Sequence, residues 1–190
     1  MSRFYLSFFA ATLIVAYCVS CTPDRTALIP RVVLPVTPVI PVVDTLPLTL
    51  NEFVASGSTQ ANEYGTAEDW LELYNTSQQP LTVRANTWYV TDDSTKADKY
   101  ALPAMTIPAK GFVVVWCDLL DIVNNGNVHT NFKLSSTGEF VGIGYKQGSN
   151  TRWIDKHPFT AQSAGTSEGK KPDGVGSWQP LSPSFNASNN

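Results

Sequence analysis

The chain contains two histidines, and their imidazole groups could act as general bases. His129 and His157 are accompanied by many serines and carboxylates, the residue types that form serine triads. The Gly-x-Ser-x-Gly turn that presents a nucleophilic serine does not occur. We expect His129 to orient a loop that leads into a strand, and His157 to lie in a loop before Pro158. Hydrolysis is therefore the last of the functions that the sequence leaves open.

Acidic residues offer a second kind of chemistry, because calcium takes six to eight oxygen ligands, many of them from loop carboxylates. The acidic clusters are Glu68-Asp69, Asp92-Asp93, and Asp118 with Asp121. None of them follows the EF-hand spacing. The candidate calcium ligands are Asp92, Asp93, Glu68 and Asp69, and solvated strand ends are the alternative. The sequence has no Cys-x-x-Cys or His-x-x-x-His pair, so no other metal and no further cofactor is predicted.

Aromatic side chains offer a third kind of chemistry, since their flat apolar faces can stack on sugars. Four of the five tryptophans lie in motif blocks, where packing in a core is the simpler interpretation: Trp70, Trp88, Trp116 and Trp178. Trp153 lies outside the strongest blocks and follows Arg152 directly. Trp153 and Arg152 are therefore the candidate contacts for a carbohydrate.

The first 20 residues are predicted to be a secretory signal. Arg3 is the only charged residue there, and it precedes an apolar run over residues 4–19. About 17 apolar residues of helix span about 25 Å, which is short for a hydrocarbon layer of about 30 Å. Residues 18–21, Cys-Val-Ser-Cys, resemble the lipobox of bacterial lipoproteins, with Cys18 where leucine is usual. The resemblance implies a lipid on Cys21 and an exported, membrane-anchored protein; an uncleaved span is the alternative.

Residues 21–47 comprise Cys21 and a predicted extended linker. Six of the 13 prolines lie between residues 23 and 47, a density that forbids helix and favours polyproline II. At about 3.1 Å per residue, 26 residues reach roughly 80 Å. Four charged residues are few for a solvated spacer. A free spacer and packing of its valines on the domain or on a partner both stay open.

Residues 48–186 are predicted to form an all-β domain, and residues 187–190 a C-terminal tail. Short apolar or alternating runs are separated by turn residues. The predicted strands cover residues 48–54, 69–75, 79–83, 87–91, 101–107, 111–117, 132–134, 139–145 and 153–154, with a helical turn over 118–124. Cys117 falls in one of these runs and is expected to be a small core side chain. Eight or nine short strands at this spacing predict a β-sandwich.

Several of these blocks resemble the lamin tail domain family. They are residues 51–53 (Asn-Glu-Phe), 69–75 (Asp-Trp-Leu-Glu-Leu-Tyr-Asn), 88–93, 107–115, 129–139 and 171–178 (Lys-Pro-Asp-Gly-Val-Gly-Ser-Trp). The last block has Lys171 where the family usually has arginine, and residues 182–186 match the family's closing tail only loosely. The resemblance covers residues 48–186 in the family's order, and it implies an immunoglobulin-like β-sandwich.

The net charge and the predicted location of the protein limit its possible partners and functions. The chain has 13 Lys and Arg against 16 Asp and Glu, and loss of the signal leaves 12 against 16. Because there is no basic excess, no nucleic acid is expected as a partner.

The sequence favours a non-catalytic lipoprotein of the cell envelope that binds or scaffolds an envelope protein. A carbohydrate-binding module at the cell surface is the alternative, followed by a hydrolase or its accessory. The expected partners are the membrane, through Cys21, and an envelope protein or polysaccharide.

Overall fold

The strands of this protein form where apolar and polar residues alternate along the sequence, so that one face of each strand turns to the core. The computed structural model describes residues 46–189, and no helix occurs among them. In chain order the strands are β1 (Leu48–Val54), β2 (Asp69–Asn75), β3 (Leu81–Val83), β4 (Trp88–Thr91), β5 (Tyr100–Ala101), β6 (Met105–Ile107), β7 (Phe112–Cys117), β8 (Ile122–Asn124), β9 (Asn127–His129), β10 (Gly138–Gln147), β11 (Asn150–Thr160), β12 (Ser167–Lys171) and β13 (Ser177–Leu181).

The strands form three sheets that enclose one main core. A seven-stranded sheet has the order β13-β12-β1-β2-β7-β9-β8, a four-stranded sheet the order β11-β10-β4-β5, and β3 pairs with β6. All neighbours are antiparallel except β7 and β9. Leu71 and Val115 from the larger sheet share a core with Val90 and Ile143 from the four-stranded sheet. The arrangement confirms the predicted all-β class and is compatible with an immunoglobulin-like sandwich.

Alternation also creates a second, outward-facing layer on the seven-stranded sheet. In β2, Leu71 and Leu73 belong to the core, so Trp70 and Glu72 point to the opposite face. Both are nevertheless fully buried. Residues 182–189 cover them, and Phe185 packs against Trp70. The last described residues, including part of the predicted tail, thus contribute to the fold.

The structure differs from the sequence prediction at several places, of which the following bear on the candidate sites. Residues 118–124 contain a bend and β8, so the predicted helical turn is wrong. Residues 132–134 form no strand, only an isolated bridge between Lys133 and Asp118. The predicted strand over 101–107 is two strands in different sheets, because Leu102 and Pro103 interrupt the ladder. His157 lies inside the long strand β11 and not in a loop.

The side chain of Cys117 belongs to the main core. Cys117 is a free cysteine with no exposed surface, and burial raises the pKa of its thiol well above the ordinary value. The expectation of a small core side chain is confirmed.

Over residues 46–189, no helix has the length and hydropathy needed to cross a membrane.

Candidate binding surface

The hairpin of β8 and β9 forms one end of the seven-stranded sheet. β8 is the last strand in the order, so its outer edge has no neighbouring strand within residues 46–189. The two strands are joined by Asn125 and Gly126, whose φ angles are 48° and 89°. Positive values at both positions are those of a type I′ turn. The hairpin therefore presents β8 at a free sheet edge.

Large apolar side chains are exposed at this edge. Leu119 is 60% exposed, Val123 51%, Leu120 45% and Ile122 41%. Tyr64, from the loop between β1 and β2, is 51% exposed and lines a cleft of about 280 Å³ together with Leu120 and Ile122. Exposed apolar residues that occur together, rather than singly, mark interaction sites. We call these five residues the β8 surface.

The loop before β8 holds an unfavourable backbone conformation. Leu119 has a φ of 68° and Asp121 a φ of 53°, in the left-handed region that bulky residues rarely adopt. Such conformations cost about 1–3 kcal/mol and are concentrated at functional sites. Aspartate tolerates this region better than leucine does, so Leu119 is the strained residue of the loop.

A buried histidine joins three segments beneath the β8 surface. His129 at the end of β9 has no exposed surface. Its Nδ1 lies 2.6 Å from Oδ2 of Asp118, which follows β7. Its Nε2 lies 3.0 and 3.2 Å from the two carboxylate oxygens of Glu63. Asn124 of β8 donates to the same Glu63 at 3.0 Å. The loop that carries Tyr64 is thereby fixed to β8 and β9.

Charge at this cluster favours the imidazolium form. Burial alone would lower the pKa of His129, but hydrogen bonds to Asp118 and Glu63 outweigh it, so the pKa lies above its ordinary value. Both ring nitrogens face carboxylates, and only the protonated ring can donate at both. In a serine triad, the second ring nitrogen instead faces a hydroxyl. The contacts of His129 are thus those of a residue that positions a loop.

His157 occupies a different environment. Its Nε2 lies 2.7 Å from Oε1 of Glu168 on β12, and its ring stacks on Trp178 with centroids 4.3 Å apart. Phe53 lies beside both rings, with centroids 6.1 Å from His157 and 5.7 Å from Trp178. These contacts hold His157 within an aromatic cluster at the junction of β11, β12 and β13.

The candidate sugar contacts lie on β11 but on opposite faces of it. Trp153 packs edge-to-face against Phe140, with ring centroids 5.4 Å apart. A Cβ atom on Gly142 would lie 2.6 Å from the Trp153 ring, so the glycine leaves space for it. Arg152 is exposed and lies opposite Tyr145, whose side chain packs on the core. Because adjacent strand residues point to opposite faces, Arg152 does not join Trp153 in one site.

A second cleft borders this aromatic pair. It has a volume of about 470 Å³, and its lining combines three acidic side chains with small and apolar residues: Asp92, Asp93, Ser94, Glu139, Phe140 and Pro158. Burial raises the pKa of Glu139 above its ordinary value. Two of the predicted calcium ligands, Asp92 and Asp93, thus lie beside Phe140, the partner of Trp153.

The four candidate calcium ligands have other partners. Asp92 pairs with Lys99, and Asp93 accepts hydrogen bonds of 2.8 and 2.7 Å from Thr95. Glu68 pairs with Lys133 at 2.7 Å. Burial raises the pKa of Asp69 to about 6. In the described part of the chain, no three Asp, Glu, His or Cys side chains converge as metal ligands. The calcium site stays a prediction.

Other sequence predictions lie outside the described residues. They are the signal over residues 1–20, the lipid on Cys21 and the linker up to residue 45. Leu46 and Pro47 are described, and the carbonyl of Pro47 accepts a hydrogen bond of 2.7 Å from the Thr76 amide. The last two residues of the predicted linker therefore contact the domain.

Sequence reasoning missed most of the β8 surface. Glu63 and Tyr64 lie in a loop whose residues have no regular spacing, so only the fold brings them to His129. The hairpin did have a signal, because Asn125-Gly126 between apolar residues is typical of a type I′ turn. The adjacent leucines, Leu119 and Leu120, instead gave the segment a helical appearance.

Comparisons with known proteins add no assignment. No model of a protein family matches the chain, and no curated protein matches it.

Proposed function

We propose that this chain is a non-catalytic lipoprotein of the cell envelope whose domain, of the lamin tail type, binds another protein through the β8 surface. The observation that carries the proposal is the group of exposed apolar residues at a free sheet edge, including Ile122 and Val123 on β8. Free edges accept an extended segment as an additional strand, with backbone hydrogen bonds for affinity and side-chain contacts for specificity. The contacts of His129 give no support to a hydrolytic role.

Charge at the edge defines the partner segment. The accessible carboxylates of this region are Glu63, Glu68 and Asp121, and its exposed cation is Lys133, whereas the buried pair of His129 and Asp118 carries no net charge. The accessible groups, three negative and one positive, therefore carry a net charge of −2. We infer an extended segment with apolar side chains beside lysine or arginine, so that the apolar groups contact Leu120 and Ile122 while the basic groups face the carboxylates.

The proposal is tested by capture from envelope extract on the immobilised full-length chain. We expect one protein to be retained at low salt and less of it at high salt, because screening weakens the charge contacts. Ile122→Lys places a charge on β8 beside Leu120 in the same cleft and should abolish capture. Val175→Lys is the matched control, since Val175 is 77% exposed in the turn between β12 and β13. Undiminished capture by Ile122→Lys with an unchanged melting temperature would refute the proposal.

A second candidate function is binding of polysaccharide by the cleft beside Phe140. The observation that favours it is the pair of partly exposed rings, Phe140 and Trp153, next to the acidic side chains of Asp92 and Glu139. Sugar hydroxyls can donate to carboxylates while a ring contacts the apolar sugar face. Insoluble polysaccharide should then deplete the protein from solution, and Trp153→Ala should prevent this. Tyr64→Ala removes an aromatic residue from the β8 surface and should have no effect.

A further inference from the structure

Residues 182–189, which we call the strap, cover Trp70 and Trp116 on the outer face of the seven-stranded sheet. Trp70 and Trp116 are cross-strand partners on that face. The ring of Phe185 lies 5.3 Å from the Trp70 ring and 5.4 Å from the Trp116 ring, measured between centroids. Phe185 is thus the apolar contact by which the strap holds the sheet.

Two glutamates lie beneath the strap. Glu52 of β1 and Glu72 of β2 are paired directly across the two strands, and they are 1% and 0% exposed. Like charges in this arrangement repel each other. Asp173, from the turn between β12 and β13, adds a third carboxylate, because Asn51 donates to both Glu72 and Asp173 at 2.9 and 3.1 Å.

The other titratable groups around these carboxylates do not neutralise them. Lys170 of β12 is buried, but its ammonium group pairs with Asp155 of β11 and donates to the carbonyl of Gly174. Tyr74, the next outward-facing residue of β2, is neutral, and burial together with Asp173 raises its pKa further. On β7, the residue opposite Glu72 is Val114. Within the described residues, Glu52 and Glu72 therefore have no ion-pair partner.

The strap supplies hydrogen-bond donors in place of a cation. Each of the three carboxylates accepts a backbone amide from the strap: Ser184 with Glu52 at 3.2 Å, Asn186 with Glu72 at 2.5 Å, and Asn189 with Asp173 at 2.9 Å. Serine hydroxyls of the strap donate as well, from Ser184 to Glu52 at 2.6 Å and from Ser188 to Asp173 at 2.5 Å. The closed position of the strap is thus tied to the charge of this cluster.

The strap backbone is itself unfavourable at its centre. Phe185 and Asn186 have φ angles of 41° and 58°, and neither is glycine. A left-handed conformation at two successive residues persists only while surrounding contacts hold it. Release of those contacts would relieve this conformation, which favours opening.

We propose that residues 182–189 form a proton-dependent cover, which is closed while the buried carboxyl of Glu72 is protonated and opens when it ionises beside Glu52 and Asp173, exposing Trp70 and Trp116. The proposal concerns the face of the sheet and is independent of the β8 surface. A cleft of about 330 Å³ already borders the strap and is lined by Phe112, Val114, Trp116 and Phe185. Opening would extend this cleft into an aromatic groove and let water reach Nε1 of Trp70, a buried donor with no partner in the described chain.

The direction of the pH effect follows from linkage. Burial, and repulsion from Glu52 and Asp173, raise the pKa of Glu72 from 4.5 to about 7 in the closed state. In the open state the carboxyl is solvated, and its pKa returns toward 4.5. The open state therefore holds fewer protons, so a rise in pH favours it. If Glu72 alone titrates, the ratio of open to closed strap rises about 100-fold between pH 4.5 and 7.5.

Hydrogen exchange of the Asn186 amide in the full-length chain tests the proposal. After correction for the intrinsic exchange rate, its protection should fall about 100-fold from pH 4.5 to 7.5. The amides of Leu71 and Val115 in the core should keep their protection. Glu72→Gln removes the titration while keeping the shape, so its protection at Asn186 should change less than about threefold. Glu139→Gln neutralises a partly buried glutamate of β10 and should behave like the unmodified chain.

Two outcomes would overturn the proposal. One is an undiminished pH effect at Asn186 in Glu72→Gln. The other is loss of protection at Asn186 and Leu71 together, which would indicate global unfolding. Phe185→Ala provides a second variant, because it removes the apolar contact without altering the carboxylates. Its strap amides should be unprotected at both pH values while Leu71 stays protected; persistent protection of Asn186 in this variant would also count against the cover.

Discussion

His129 and Asp118 are joined by a contact of 2.6 Å that is closed to solvent on both sides, since their side chains are 0% and 2% exposed. The pair links the end of β7 to β9. Glu63 faces the other ring nitrogen of His129 and has 21% of its side chain exposed. Asp118 is therefore the buried partner that fixes the position of the His129 ring. Glu63 is its partner at the boundary with solvent.

Replacement of this histidine should destabilise the fold strongly. His129→Gln keeps a donor for Asp118 but removes the positive charge, which leaves a buried carboxylate without an ionic partner. We expect a loss of about 3 kcal/mol in the free energy of unfolding at pH 6. Lys133→Gln is the control, because its ion pair with Glu68 is solvent-exposed, with 45% of the lysine side chain accessible, and should contribute less than about 1 kcal/mol. Denaturant unfolding of both variants measures the difference, and equal losses would contradict the assignment.

Stability should be highest near pH 5 and fall toward pH 8. The native pKa of Asp69 is about 6 and that of Glu72 about 7, both raised by burial, and the pKa of His129 is raised as well. In each case the native state holds more protons than the unfolded chain. The carboxyl contributions are therefore lost as the pH rises from about 4 to 7, and that of His129 as the pH rises above about 6.5.

Unfolding in denaturant at several pH values measures this slope. The expected fall is about 4 kcal/mol between pH 5 and 8. The lowered pKa values of Glu63 and Asp93 act in the opposite sense, but only below about pH 4.5. Glu72→Gln should flatten the curve between pH 5 and 7. A stability that rises over this interval would show that the buried carboxyls are not protonated in the native state.

The sequence predicts the central strands well and the sheet edges poorly. The bounds of β1 and β2 are those predicted, because apolar alternation and flanking turn residues coincide there. β12 was missed because its sequence, Ser-Glu-Gly-Lys-Lys, has no apolar residue. Gly169 and Lys170 are buried by Asn189 and by the pair with Asp155, which are tertiary contacts.

In the candidate sites too, the sequence indicates single residues, whereas their contacts depend on the fold. Trp153 could be singled out because it lies outside the strongest sequence blocks, but its contact with Phe140 depends on the register of β10 and β11. The strap cluster unites Asn51, Glu72 and Asp173, which all lie in blocks that the sequence analysis had singled out. Those blocks marked residues that hold the fold together, and spacing alone could not show that they meet.

Asn75 provides a test of the turn contacts. It is fully buried at the end of β2, and its amide group donates to the carbonyls of Gln79 and Pro108 at 2.9 and 2.8 Å. Asn75→Ala leaves these acceptors without a donor, and we expect a loss of about 2–3 kcal/mol in unfolding free energy. Asn131→Ala, at an exposed position, should change stability by less than about 0.5 kcal/mol. Thermal unfolding of the two variants provides the comparison.

Membrane attachment depends on Cys21 if the chain is lipidated. A lipid on the thiol adds about 0.8 kcal/mol of membrane affinity for each buried CH₂ group, so several acyl chains give a firm anchor. Cys21→Ser removes the thiol, and we expect the protein to move from the membrane pellet to the supernatant after cell fractionation. Cys117→Ser is the matched control, because Cys117 is buried in the domain core and cannot carry the anchor. Retention of Cys21→Ser in membranes at high salt would instead indicate an uncleaved apolar span over residues 4–19, since salt removes only proteins held by charge.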